Sequence, residues 1–455
     1  MSFPIYRYVL AILTLACLTS CFSNPGTESP SGELNFPVAM VQSSQAVPAE
    51  HLFVLNSNFD LRYNSGTLSS IDLGCLDQRV AACAGAEDCV IRAEDAGCAL
   101  FTSEVEVGSH GAGLALSANG ERLYAPIRSQ REVTALDVLA DGSLSCGQTN
   151  GSRRCAPSAS ELSIRGDLTL PSDPVGITVG PLTDISSNEG TYLLMAHRAG
   201  HASLIIDQEG SEGLELVDTL DGFSSSLIGV TRRPGTQQAW FSRTRGSGIA
   251  LAGLTELAGL AGMAGLTGMA SAEEPERVLF DAGTLTVSGV DSSRTIGADI
   301  REIRFDPRDG AETVYALSRR PEALLIADIP SAGSSRLEIR ELVDVGIGPS
   351  RLALASLRGR LFAFVSCFDS RDLYVIDLDD GRLSGVVRGM SGPFTLSVDE
   401  SRERLYVADF GASVIRVVGL STLLSCLDGA GAVGDSCAPL IEATIGEPRP
   451  VRELQ

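Results

Sequence analysis

The sequence predicts an all-β fold assembled from repeats. One phrase recurs seven times along the 455 residues: an apolar strand, a short polar turn, and a second strand that ends near an aspartate. Where no insert intervenes, successive copies start 44 to 47 residues apart. The composition agrees, since 48 Gly and 20 Pro indicate many turns and 44% hydrophobic residues indicate a packed core. The copies begin near residues 51, 122, 191, 238, 313, 360 and 404.

Each copy extends to four strands. The clearest copy, 405–418, is preceded by a strand and turn at 394–400, and an alternating segment at 383–388 follows the copy before it. Alternation, β-branched residues and Asn-Gly or Asp-Gly turns are typical of antiparallel strands. A repeat of this length suits a four-stranded sheet. We therefore predict a seven-bladed β-propeller of four-stranded antiparallel blades over residues 50–455.

The best copy also carries a family resemblance. Its sequence, LYVADFGASVIRVV, resembles the YVTN-type repeat of β-propellers, and the likeness covers roughly residues 51 to 455. In most other copies the tyrosine or the valine after it is replaced. The resemblance implies the propeller fold, and some propellers that resemble these repeats are lactonases or quinoproteins.

The ring is predicted to close through the C-terminal strand. The first copy, at residue 51, lacks a preceding inner strand, while the chain continues past its last outer strand, 440–445, into 448–454. We expect this tail to join the first blade as its inner strand. A ring closed in this way has no open edge.

Eight of the eleven cysteines lie in tight local groups inside the inserts of the repeat. We predict disulfides within each group, because a local bridge restricts the unfolded chain in an oxidising compartment. Zinc is disfavoured, since no group contains a Cys-x-x-Cys pair. Cys367 is left as a buried thiol. The bridged cysteines are Cys146 with Cys155, Cys426 with Cys437, and a group of four whose pairing stays open, Cys75, Cys83, Cys89 and Cys98.

One insert contains no cysteine. Between 251 and 269 it places Leu or Met at every third position, which distributes apolar residues around a helix instead of along one face. Its glycines weaken a helix further. We interpret it as a surface loop with partial helix, and the alternative is an apolar docking segment for a partner or a membrane. The predicted inserts are 74–100, 139–160, 251–275 and 421–438.

The N-terminus is organised as an export signal. Arg7 precedes the apolar run 9–15, which is too short to span a bilayer, and Leu-Thr-Ser-Cys follows at 18–21. This order resembles the lipobox of bacterial lipoproteins and implies lipidation of Cys21; an ordinary secretory signal with an incidental cysteine is the alternative. Phe22 in place of an aspartate favours the outer membrane. We expect a signal peptide at 1–20 and a flexible tether at 21–49, which is rich in Ser, Pro and Gly.

The charge excludes several classes of function. The formal net charge is −22, and all 35 basic residues are arginine. Without lysine, the chain cannot form a Schiff base or a Walker-type phosphate site. A surface this acidic repels nucleic acid and anionic headgroups. Contact with the membrane is therefore expected through the lipid alone, with no nucleic-acid partner.

The loops between second and third strands are expected to surround one mouth of the central channel. They are rich in arginine, so the mouth of an otherwise acidic protein would attract an anionic ligand or an acidic partner segment. The alternative is that these arginines pair with local carbonyls and acids. The candidate ligand-binding residues are Asp60, Arg128, Arg131, His197, Arg198, His201, Arg243, Arg245, Arg319, Arg320, Asp369, Arg371 and Asp409.

The sequence contains neither a Gly-x-Ser-x-Gly elbow nor a His-Glu-x-x-His motif. We predict a non-catalytic binding or scaffold module for a protein or polysaccharide partner, without cofactor, metal or catalytic residues. The alternative is a propeller enzyme, a lactonase-like hydrolase or a quinoprotein-like oxidoreductase, with its site at the channel mouth. In that alternative a metal would be held by Asp60, His197, His201, Asp369 and Asp409.

Overall fold

The regular structure of the chain is almost entirely β-strand, in antiparallel sheets of a propeller-like fold, which confirms the predicted all-β class. The two helices within the described part are α1 (Leu73–Ala82) and α2 (Leu420–Ala430). The structure, a computed structural model, describes residues 26–44, 50–83, 89–149, 151–208, 213–244, 248–255, 257, 277–289, 293, 297–331, 333–430 and 440–449.

The described strands form six sheets, three of four strands, two of five and one of eight. Within these sheets, consecutive strands pair in antiparallel runs, and each run is called a unit. The first unit contains β1 (Pro37–Gln42), β2 (His51–Asn56), β3 (Gly66–Asp72) and β5 (Phe101–Val107), and β4 (Val90–Ile91) lies between β3 and β5 in the sequence. The second unit contains β6 (Ala115–Leu116), β7 (Arg122–Ile127), β8 (Glu132–Val138) and β9 (Leu144–Ser145). The third unit follows β10 (Leu162–Ile164) and contains β11 (Pro174–Pro181), β12 (Gly190–His197), β13 (His201–Gln208) and β14 (Leu214–Leu220).

Four further units follow in the same strand order. They are β15 (Leu227–Arg232), β16 (Gln238–Arg243), β17 (Ile249–Leu254) and β18 (Leu279–Gly289); β19 (Ile300–Phe305), β20 (Thr313–Arg319), β21 (Glu322–Asp328) and β22 (Arg336–Asp344); β23 (Pro349–Leu357), β24 (Arg360–Cys367), β25 (Asp372–Asp377) and β26 (Arg382–Val387); and β27 (Pro393–Asp399), β28 (Arg404–Asp409), β29 (Val414–Gly419) and β30 (Ile441–Ile445).

Parallel contacts extend several outer edges. β10 pairs with β14, and β18 pairs with β22, which joins the fourth and fifth units into one eight-stranded sheet. β4 pairs with β30, so a short strand from the first unit's insert covers the outer edge of the last unit. These pairings satisfy backbone groups that an outer strand would otherwise leave open.

The hydrophobic core lies between neighbouring units. Second and third strands such as β12 and β13 are buried on both faces, which explains why they read as continuous apolar runs. One core cluster lies between the first and last units and joins Leu52 and Ile71 to Tyr406 and Ile445. The units therefore pack in succession and the last unit packs against the first.

The closing strand differs from the prediction. The first position of the first unit is occupied by β1, from the segment predicted as tether, and β1 pairs with β2 in antiparallel register. The prediction that the C-terminal tail supplies this strand is therefore wrong; residues 450–455 lie outside the described part. The sequence of β1, PVAMVQ, is short and apolar, and the polar composition of the residues around it led to its prediction as part of the tether.

Other contacts also join the first and last units, at a junction that is called the closing seam. Asp77 of α1 forms ion pairs with Arg402 and Arg404 of the last unit, with a distance of 2.9 Å to Arg402. Arg449 donates hydrogen bonds to Asn35 and Glu33, each at 2.8 Å. The contact between the first and last units thus depends on packing and charge pairs between segments that are far apart in sequence.

Predicted disulfides form in the inserts. Cys146 bonds to Cys155, and the open group of four resolves as Cys75 with Cys98 and Cys83 with Cys89. Cys426 is disulfide-bonded, while its predicted partner Cys437 lies outside the described residues.

Cys367 is a buried free thiol, and burial raises its pKa to about 12, so the thiol is unreactive at neutral pH. Residues 251–254 of the 251–275 insert belong to β17, and nearly all of the remainder lies outside the described part. No described helix combines the length and apolarity that crossing a membrane requires.

Candidate functional site at the channel mouth

The first strands of the units surround a central channel. Its middle is a narrow cavity of about 200 Å³ to which β1, β11, β15, β19, β23 and β27 all contribute. This volume is below the range of about 300 to 1,000 Å³ that is usual for ligand sites. The wider space lies at one end of the channel.

β-Bulges direct side chains toward that end. The first strands of six units each carry a register shift near their start. A bulge inserts an unpaired residue and re-aims its side chain. The inserted residues all line one mouth of the channel, and they are Val38, Val175, Ile228, Arg301, Ser350 and Phe394.

The mouth is a cavity of about 390 Å³. Loops that follow second strands complete its wall, as the sequence predicted for this end of the channel. These loops and the adjoining strand starts contribute Phe59, Arg128, Arg198, Arg319, Arg351, Phe368, Asp369 and Phe410.

Three arginines at this end have carboxylate partners. Arg128 Nε lies 2.5 Å from Asp173 Oδ1, and Arg319 Nη2 lies 2.8 Å from Asp369 Oδ2. Arg301 Nη2 lies 2.9 Å from Asp299 Oδ2. Each pair is partly exposed, so the partners neutralise one another but remain accessible at the cavity wall.

Two arginines lack such partners. Neither Arg198 nor Arg351 forms an ion pair with a described residue. Burial, and then repulsion from Arg128, lowers the pKa of Arg198, and burial lowers the pKa of Arg351. Both guanidinium groups stay charged at neutral pH, because arginine ionises far above it. Asp173 acts to raise the pKa of Arg198 and Glu302 that of Arg351, so a carboxylate acts on each guanidinium without an ion pair. Five arginines and one aspartate line the mouth, so positive charge exceeds negative charge there.

A second cavity of about 630 Å³ adjoins the mouth and shares Arg198, Arg301 and Arg319 with it. Arg320 and Asp299 also line it. Asp299 Oδ1 is buried and accepts no hydrogen bond from any described residue. A buried carboxylate oxygen without a donor is costly, and it is the kind of group that a bound polar ligand satisfies.

The other side of the mouth is aromatic. Phe410 is at the centre of a cluster, with ring centroids 4.9 Å from Phe36, 5.5 Å from Phe59 and 6.0 Å from Phe368. The guanidinium carbon of Arg351 lies 4.9 Å from the centroid of Phe394. This cation–π contact joins the charged side of the mouth to the aromatic side.

The structure brings together some of the predicted residues. Arg128, Arg198, Arg319 and Asp369 line the mouth, and Arg320 lines the adjoining cavity. Asp60, Arg131 and Arg371 are exposed on the same loops but outside both cavities, and Arg245 lies outside the described part.

Four other candidates are structural. His197 is fully buried, with Nε2 2.8 Å from Ser203 Oγ, and burial lowers its pKa to about 4. His201 is its cross-strand neighbour. Arg243 donates to the carbonyl of Gly248, and Asp409 accepts from the backbone of residues 391 and 392. The five residues of the metal alternative do not converge, since the described residues contain no cluster suited to a metal ion.

Sequence reasoning missed Arg301, Arg351 and Phe394, which belong to first strands rather than loops. A signal existed, because aligning the first strands places Arg301 where other units carry Val175 or Ile228. A charged residue at a position that is apolar in the other repeats indicates that its side chain does not pack in the core. The bulge that turns it into the mouth is not visible in one sequence.

Comparison with known proteins supports the fold. No protein-family model and no curated protein sequence matches the chain. Among solved structures, hydrazine synthase of Kuenenia stuttgartiensis is similar with a TM-score of 0.54 and 10% identity, over 88% of this chain and 98% of that one. A putative 6-phosphogluconolactonase of Bacteroides uniformis has a TM-score of 0.48 and 15% identity, over 76% and 82%.

A similar structure from Bacteroides fragilis, also a putative 6-phosphogluconolactonase, has a TM-score of 0.48 and 13% identity, over 76% of this chain and 82% of that one. Hydrazine synthase is named as an enzyme, which contradicts the predicted non-catalytic binding or scaffold module; that prediction is wrong. At such identities the likeness defines the fold, so the chemistry has to be argued from the site.

Proposed function

We propose that the chain is a propeller enzyme that hydrolyses small anionic esters or lactones at the channel mouth. The observation that carries the proposal is the pair Arg198 and Arg351, two charged groups from different units that face one cavity and form no ion pair with a described residue. An anion bound between them would supply the direct counter-charge that Asp173 and Glu302 do not provide in this partly desolvated site.

The remaining side chains supply the chemistry of hydrolysis. Asp369 is 43% exposed, and its Oδ2 accepts from Arg319 at 2.8 Å. As general base it would take a proton from water while the water oxygen forms a bond to the substrate carbonyl carbon. The carbon–oxygen bond then breaks, and the alkoxide recovers the proton from Asp369. Arg301 and Arg319 would stabilise the negative charge on the carbonyl oxygen.

The test is a panel assay of the full-length protein with carboxylated, phosphorylated and uncharged lactones. We expect turnover of the anionic members only. Arg198→Gln and Arg351→Gln should each raise KM about tenfold, and Asp369→Asn should lower kcat by about 100-fold or more. Arg336→Gln, an equal charge change on an exposed outer strand, is the control and should change neither. Preference for uncharged lactones, or unchanged kinetics of Asp369→Asn, would contradict the proposal.

We further propose that the units form one closed ring of seven four-stranded blades built from YVTN-type repeats. Support comes from the series of cores between successive units, including the one between the last and first. Removing the charge pairs of Asp77 should then weaken the whole domain in one transition, which thermal unfolding followed by two probes would reveal.

We also propose that the enzyme is tethered to the bacterial outer membrane by a lipid on Cys21, within the lipobox-like Leu-Thr-Ser-Cys. With a net charge of −22, attachment by acyl chains is the favoured route. Cys21→Ala should release the protein into the soluble fraction, with Cys17→Ala as the control. Continued sedimentation of Cys21→Ala with membranes would refute the anchor.

A further inference from the structure

The mouth has two chemically different sides. Arginines from the second, third, fifth and sixth units form one, and phenylalanines from the first, sixth and seventh units form the other. Both sides line the same cavity of about 390 Å³, so a single small ligand would touch both. A purely polar anion would leave the phenylalanines in contact with water.

The aromatic side is incompletely packed. Phe59 is 46% exposed, although its ring lies 5.5 Å from Phe410 and 6.1 Å from His110. Phe368, Phe394 and Phe410 are each partly exposed at the cavity wall. Clustered aromatic rings that remain open to a concave site provide slots for a planar group, since aromatic rings prefer tilted and edge-to-face contacts.

The distance between the two sides limits the ligand. Arg351 lies 4.9 Å from the centroid of Phe394, whose ring is 6.1 Å from that of Phe410. If Arg351 binds the anionic group of a ligand, the ligand atoms one or two bonds further along therefore contact these rings. An aromatic ring one or two bonds from a carboxylate matches this spacing.

We propose that the site selects aryl-bearing carboxylates, in which the carboxylate binds Arg351 and Arg198 and the aromatic ring packs against Phe59, Phe368 and Phe410. The inference specifies the substrate class of the proposed site. It rests on the proposed function for the reaction that follows binding, whereas the binding preference stands by itself. It makes Phe59 a specificity residue for the ring, and Arg351 the contact shared by both parts of the ligand.

Equilibrium binding to the full-length protein tests the inference with three probes: phenylacetate, acetate and benzyl alcohol. We expect phenylacetate to bind at least tenfold more tightly than either acetate or benzyl alcohol. Phe59→Ser should reduce phenylacetate affinity about tenfold and leave acetate binding unchanged. Phe280→Ser is the matched control, because Phe280 is also 46% exposed but lies on an outer strand away from the mouth.

The outcomes separate this inference from the proposed function. Equal binding of phenylacetate and acetate, or equal effects of Phe59→Ser and Phe280→Ser, would overturn the aryl preference even if lactones are hydrolysed. Preferential phenylacetate binding that depends on Phe59 and Arg351 supports it even if no ester or lactone is turned over. Asp369→Asn should keep the phenylacetate preference, since Asp369 is proposed to act only in the chemical step.

Discussion

The two ends of the channel differ in how completely their arginines are paired. At the end away from the mouth, arginines bridge neighbouring units through carboxylates. Arg122 Nη1 lies 2.8 Å from Asp207, and Arg308 contacts Asp379 of the next unit at 2.7 Å. At the mouth, Arg128 and Arg319 also bridge neighbouring units through carboxylates, but Arg198 has no ion pair with a described residue.

The difference teaches which arginines the fold requires. Where a guanidinium lies between two units, its partners come from both, and a tyrosine often completes the network, as Tyr315 does by donating to Asp306 at 3.0 Å. Where guanidinium groups face the cavity, the fold provides fewer carboxylates than arginines. The pairs away from the mouth therefore serve cohesion between units, whereas the mouth keeps arginines available for the anion that we propose.

The largest expected effect is a loss of folding stability at acidic pH that arises near the mouth. Burial lowers the pKa of His197, near the mouth, to about 4, so the unfolded chain binds a proton below pH 6.5 that the folded chain does not. Stability should fall by about 3 kcal/mol as pH decreases from 6.5 to 4. His197→Gln should abolish this decline in urea unfolding, whereas His201→Gln should retain it. An unchanged slope in His197→Gln would contradict the prediction.

At the end away from the mouth, Asp306 should respond only at lower pH. Burial acts to raise the pKa of Asp306, but hydrogen bonds from Arg308 and Tyr315 outweigh it and lower the pKa. Such a carboxylate contributes stability above its unfolded pKa and loses it as pH falls further. This loss therefore begins near pH 4, below the window assigned to His197.

The second prediction removes a charge pair at the closing seam. Asp77→Asn should cost about 2 kcal/mol, because Arg402 and Arg404 are only 12% and 15% exposed and both lose a carboxylate. The exposure of Asp77 itself keeps the cost below that of a fully buried pair. Asp328→Asn, whose pair with Arg340 is exposed on both sides, should cost less than about 0.5 kcal/mol in the same denaturation assay. Equal costs would remove the special role of the seam.

The third prediction compares two buried tyrosines. Tyr124 donates to Asp207 at 2.6 Å, so Tyr124→Phe should cost about 1.5 kcal/mol. The hydroxyl of Tyr406 is buried without a hydrogen-bond partner among the described residues, so Tyr406→Phe should be neutral or slightly stabilising. Chemical denaturation of both variants measures the difference. A larger loss for Tyr406→Phe would show that its hydroxyl is satisfied in solution.

The smallest effect is expected at the mouth. Arg198→Gln should stabilise the protein by a few tenths of a kcal/mol at low salt, because it removes repulsion from Arg128. The gain should disappear at high salt, where such repulsion is screened. Arg308→Gln, away from the mouth, should instead destabilise. If both variants lose stability equally, the contrast between the two ends is wrong.

The repeat pattern predicted several residues that line the mouth because they follow second strands, whose positions are set by local alternation. Arg198 and Asp369 are examples. Arg351 and Phe394 were missed because their exposure depends on bulges in first strands. β1 was missed because a six-residue apolar segment in polar surroundings carries too little local signal, and its pairing with β2 is decided by the space left beside it.

The amino-acid sequence by itself determined the all-β class, the repeat and the local disulfide groups, since strand alternation, turn residues and cysteine spacing act over a few residues. Only the tertiary structure decided which segment completes the first unit, which arginines find carboxylates and which side chains share the mouth. Those outcomes depend on contacts between residues far apart in the chain, such as Asp77 with Arg402 and Arg351 with Phe394 of the next unit.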